Sequence, residues 1–207
     1  MLKTVREYLS FAGVQYRNPD KAGDEREKML TLRQKGQEAR KSFTELAKTF
    51  QASHPEWQLQ QTSQWMNQAQ RLRPHFWAYL QRDGQVTEPM MALRLYGTPT
   101  NYGISFEVSF IERKKDEQTL DKQAKVLELP AVEGIYYLVY SNGESHKVEV
   151  TEENRCALRE KLRSQEVRKV LVKADVSFIA NQSVEAILEK LEEAYARLLP
   201  YYEVTRE

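Results

Sequence analysis

The triplet Glu112-Arg113-Lys114 offers the sharpest catalytic chemistry in the chain. It closes the run GISFEVSFIERK, in which Ile104, Phe106, Val108 and Phe110 alternate with polar or small residues. A strand of that pattern carries Glu112 and Lys114 onto one face, where it leaves the core. A carboxylate and an ammonium so placed, joined by a second carboxylate, are the parts of a Mg²⁺ site. The metal binds the phosphate there, and the lysine positions or activates the attacking water. The second acid has to be Asp83 or Glu88, upstream in RDGQVTEP, because Glu107 alternates onto the opposite face. The competing reading is that ERKKDE is a solvated junction between a strand and a helix.

A different chemistry is suggested by the window Trp57 to Arg82, which holds all three Trp, seven Gln, three Arg and no acidic residue. Arg71, Arg73 and Arg82 are interleaved there with Trp65, His75, Phe76, Trp77 and Tyr79. Aromatic faces stack on bases and arginines contact phosphates or base edges, so the window can make a nucleic-acid surface. The competing reading is a core anchor, since Phe76, Trp77 and Leu80 have helical spacing.

Two resemblances bear on these segments. Glu112 and Lys114 resemble the E-x-K signature of restriction-type nucleases, which implies Mg²⁺ as cofactor. The order of a Trp/Gln/Arg segment, RPHFWAYL, a strand, a loop with TNYG and another apolar strand resembles the N-terminal DNA-recognition domain of McrB-type restriction enzymes. The final helix AILEKLEEAYARLLPYY is similar in kind. The resemblance implies DNA contact and assigns no individual residue; the family's fused GTPase motor has no counterpart here, since the chain carries no Walker motif.

Other chemistries find little support. There is no glycine-rich phosphate loop, no G-x-S-x-G elbow and no cysteine pair for zinc. His54, His75 and His146 fall in three different segments, without the i, i+4 spacing of a helical metal site. Cys156 has Arg155 and Arg159 nearby, but a lone helical cysteine is ordinarily inert packing. Lys+Arg (31) and Asp+Glu (30) nearly cancel, so any polyanion must be held by a local patch. The unpaired cysteine fits a reducing compartment, and Lys3, Arg6 and Glu7 interrupt any signal-peptide core. The expectation is a cytoplasmic protein without a membrane span.

The elements that position these residues follow from periodicity. Leu2, Val5, Leu9 and Ala12 predict a short helix, and Asp24 to Ala52 a second, with Met29, Leu32, Ala39, Phe43, Leu46 and Phe50 as its apolar stripe. That helix either lies on the core or serves as an arm for homo-oligomer formation. Two strands flank TPTNYG, joined by a loop of about five residues. After a polar helix over Asp116 to Leu127, two β-rich runs meet at Asn142-Gly143, a type I′ hairpin signal. Thr151 caps a helix to about Arg163, VRKVLVKADV is a strand, and the chain closes on the helix whose stripe includes Val184, Leu191 and Leu198. The fold class is α+β, a mainly antiparallel sheet with packed helices. Residues 1–55 form an N-terminal helical extension and 56–207 the core domain. The function expected is an intracellular binding module that contacts nucleic acid. The alternatives are a Mg²⁺-dependent nuclease and a protein-interaction or self-association module.

Overall fold

The computed structural model describes residues 2–82, 84, 88–110, 117–179 and 181–206. The chain begins with helices α1 (Leu2–Leu9) and α2 (Arg26–Ala52). Strands β1 (Gln58–Leu59), β2 (Trp77–Gln81), β3 (Met90–Thr98) and β4 (Asn101–Ser109) follow. Helix α3 (Glu117–Ala124) leads to β5 (Tyr136–Ser141) and β6 (Glu144–Glu149). Helix α4 (Glu152–Arg163), β7 (Lys169–Ser177) and α5 (Val184–Arg206) complete the chain. The strands form one sheet in the order β1-β2-β3-β4-β7-β5-β6, antiparallel at every pairing. The α+β class read from the hairpin pattern is the observed one.

Local chemistry accounts for the boundaries. Asn142 and Gly143 take φ of 51° and 86°, the left-handed pair that a tight β5–β6 turn needs. The Thr151 side chain accepts the Asn154 amide at 3.1 Å, capping α4. Two features differ from the periodicity reading. Thr98 pairs with Asn101, so only Pro99 and Thr100 connect β3 to β4, a tighter turn than five residues. Phe76, Trp77 and Leu80 have spacing that suits a helix, but Trp77 and Leu80 belong to β2 and Phe76 immediately precedes it, with Trp77 opposite Arg94 and Tyr79 opposite Ala92. Apolar positions so few fit either period, and pairing with β3 decides between them.

The helices and one sheet face enclose a single core that includes Val5, Tyr8, Phe43, Phe50, Leu93, Phe106, Val172 and Leu198. The stripe of α2 is wholly used in it: Met29, Leu32, Ala39, Phe43, Leu46 and Phe50 are buried against their own chain. Phe50 lies 5.3 Å from Phe106 of β4 and 5.9 Å from Tyr195 of α5, ring centre to ring centre. Tyr8 stacks on Phe76 at 4.9 Å, and its hydroxyl lies 2.5 Å from Trp65 O and 2.7 Å from Arg73 O. The N-terminal helices thereby hold the irregular 65–73 segment that approaches β2. No helix among the described residues is long and apolar enough to cross a membrane.

Candidate nucleic-acid interface

Because side chains alternate along a strand, the core uses only half of each one. On β4 the core half is Ile104, Phe106 and Val108, and the other half is Ser105, Glu107 and Ser109. The register continues that second half across the sheet. Trp77 stands opposite Arg94, Arg94 opposite Ser105, and Ser105 opposite Asp175; Glu107 stands opposite Lys173, and Lys173 opposite Tyr136. Tyr79, Tyr96 and Tyr140 share the same face. For Trp77, Arg94, Glu107, Tyr136 and Asp175, every side-chain hydrogen-bond, ion-pair and ring partner among the described residues comes from the sheet or from Arg73 and His75 leading into it. No helix among the described residues supplies a side-chain partner to them.

The centre of this face is a buried charge cluster. Glu107, 1% exposed, receives Arg94 Nη2 at 2.9 Å on Oε1 and Lys173 Nζ at 2.8 Å on Oε2. Burial works to raise the Glu107 carboxyl, but Lys173 and Arg94 outweigh it and hold the group below its ordinary value. The acidity of the Tyr79 hydroxyl on the same face is suppressed chiefly by burial. Toward β6, the Tyr136 hydroxyl donates to Asp175 at 2.9 Å and Lys147 Nζ reaches the other carboxylate oxygen at 3.2 Å. Burial first, and Asp175 second, push the Tyr136 phenol well above its usual range.

Around this centre, cations lie on aromatic rings. The Arg73 and Arg94 guanidinium carbons stand 4.8 and 5.4 Å from the Trp77 ring centre. Lys147 Nζ stands 3.7 Å over Tyr136, while Arg168 and Lys169 approach Tyr140 at 5.9 and 5.7 Å. His75 sits 5.5 Å from Trp77. Its imidazole is lowered from 6.5 to about 4, by burial first and then by Arg94 and Arg73.

The residues singled out in the sequence divide among different places. Arg73 and His75 join the open face beside Trp77. Arg71 is exposed nearby and donates to Gly13 O at 3.2 Å. Trp65 is 6% exposed and edge-on to Tyr16 at 5.1 Å, so it belongs to the core. Arg82 lies apart: it pairs with Glu203 of α5 at 2.6 Å and covers Trp57 at 4.9 Å and Tyr202 at 5.7 Å. Glu88 pairs with Lys122 of α3 at 3.0 Å. Asp83, Glu112 and Lys114 lie outside the described residues, and so does any convergence of a Mg²⁺ site upon them. Among the described residues no group of three or more His, Cys, Asp or Glu could hold a metal ion. Cys156 is exposed.

Arg94, Tyr79, Glu107, Lys173, Tyr136, Asp175 and Lys147 escape a reading by local motif, because they come from six strands. The available signal is the polar half of each alternation, as in Ser105-x-Glu107-x-Ser109 and Lys169-x-x-x-Lys173-x-Asp175. No protein-family model matches the chain, and a search of curated proteins likewise gives no match.

Proposed function

We propose that this chain is a nucleic-acid-binding module whose contact surface is the sheet face running from Trp77 to Tyr140. The observation that supports it is the layering of basic groups on aromatic rings across a face to which no helix among the described residues contributes a partner: Arg73 and Arg94 on Trp77, and Lys147 on Tyr136. A base stacks on an aromatic ring for about 1–3 kcal/mol and tolerates any sequence, while the adjacent cations meet the phosphates. The buried Glu107 holds Arg94 and Lys173 in place, so part of this charge is fixed before any ligand arrives. The resemblance to an McrB-type DNA-recognition domain points to the same class of partner.

Fluorescence anisotropy of labelled oligonucleotides against the full chain, begun at low salt and titrated upward, tests the reading. Binding should weaken steeply with salt, and Arg73→Gln with Lys147→Gln should flatten the logarithmic slope by about 1.4–1.8, near 0.7–0.9 for each phosphate contact. Absence of binding at low salt overturns it.

A further inference from the structure

We infer that Arg73, His75, Trp77 and Arg94 form a subsite for one unpaired base, so that the face takes single-stranded rather than duplex nucleic acid. This rests on the nucleic-acid reading of the same face.

The first argument is width. Trp77 on β2 and Tyr136 on β5 are separated by four inter-strand steps, through β3, β4 and β7. At about 4.8 Å per step the two stacking stations are about 19 Å apart. The major groove of a duplex is about 12 Å wide and admits a helix or a two-stranded ribbon. A platform of five adjacent strands does not enter it. A single strand, by contrast, can lie across the platform with its bases turned toward the rings.

The second argument is the chemistry at Trp77. The indole is half-buried, with two guanidinium groups over it. The neighbouring His75 ring is tilted by 40° to it. Among the described residues, neither His75 ring nitrogen has a hydrogen-bond partner. A neutral imidazole carries one donor and one acceptor, the pattern that a base edge displays. Base faces in a duplex are covered by their neighbours and the pairing edges by the opposite strand. Only an unpaired base offers its face to the layered Trp77 ring and guanidinium groups, and its edge to His75, at once.

The test uses the full chain in anisotropy titrations at fixed salt. The probes are labelled 12-nucleotide single strands of A, C, T or U in both deoxyribose and ribose forms, and a mixed-sequence DNA duplex beside its separated strands. Single strands should bind about tenfold or more tighter than the duplex, as loss of one or two stacked bases implies. Trp77→Ala should weaken every single strand, and Trp77→Phe should restore most of the loss. His75→Gln should change the ranking among the bases by about threefold, the scale of one hydrogen bond, while the melting temperature at neutral pH stays put. A preference for ribose or for deoxyribose assigns RNA or DNA, and either upholds the inference. Duplex binding as tight as single-strand binding overturns it and leaves the nucleic-acid reading standing. So does a His75→Gln variant with an unchanged base ranking. No binding to any probe removes the parent reading itself.

Discussion

Glu107 of β4 and Lys173 of β7 face each other with Oε2 and Nζ 2.8 Å apart, their side chains 1% and 8% exposed. Two charges so enclosed are stable only together, with Arg94 completing the set. Lys173→Met should therefore cost about 3 kcal/mol in urea denaturation, because it strips a partner from a buried carboxylate. The Glu107 carboxyl is held below its ordinary 4.5 in the folded protein. Its contribution is present above that value and is lost as pH falls through the lower folded value. An unchanged urea midpoint in Lys173→Met would show that the cluster contributes nothing to stability.

Gly36 lies at the middle of α2 because Trp65 packs onto the helix backbone there. A Cβ built at Gly36 would stand 2.5 Å from a Trp65 ring carbon. Gly36→Val should destabilise the fold by about 2 kcal/mol through overpacking. With Trp65→Leu as background the obstruction is gone, and Gly36→Ala should then stabilise by up to about 1 kcal/mol through helix propensity alone. Thermal melts of the two pairs check the reversal of sign.

The same two residues show what the sequence carries and what it withholds. The stretch around Gly36 is almost wholly polar and names no partner by itself, yet the glycine marks a close approach from Trp65, 29 positions on in the chain. Signals confined to one element were readable: the Asn142-Gly143 turn, the Thr151 cap, and the alternation of Ile104, Phe106 and Val108. The short β2 was not, since its apolar spacing fits two periods and only pairing with β3 resolves them. The candidate face depends on strand order. Nothing local to Lys173 says that β7 inserts between β4 and β5 and so sets it against Glu107. Type and spacing single out Arg73, His75 and Arg82 together, whereas the fold sets Arg73 and His75 beside Trp77 and Arg82 against Glu203 of α5.

His75 should leave a mark on the pH dependence of stability. Burial, with Arg94 and Arg73 reinforcing it, lowers its imidazole from 6.5 to about 4. As pH falls below about 6.5 the unfolded chain takes up a proton that the folded chain refuses. Stability attributable to this group therefore declines between about pH 6.5 and 4 and is level below. Denaturant melts near pH 7 and pH 5 should show a larger loss for the wild type than for His75→Gln. Identical losses would mean that the imidazole is not held neutral by its surroundings.

The last expectation separates binding from folding by means of two arginines from one sequence window. Arg73 lies over Trp77 on the open face, and its Nε donates to Met66 O at 3.2 Å. Arg82 is bound into the opposite layer of the molecule, between Glu203 at 2.6 Å and the rings of Trp57 and Tyr202. It ties the end of β2 to α5, and its half-covered stem protects the buried Trp57. Arg82→Gln should lower stability by about 1 kcal/mol, the sum of a partly exposed ion pair and a cation–π contact, and leave oligonucleotide affinity unchanged. Arg73→Gln should do the reverse, with a melting temperature near that of the wild type and a binding loss that shrinks as salt rises. Equal effects of the two substitutions on binding would detach the interface from the Trp77 face and move it toward α5.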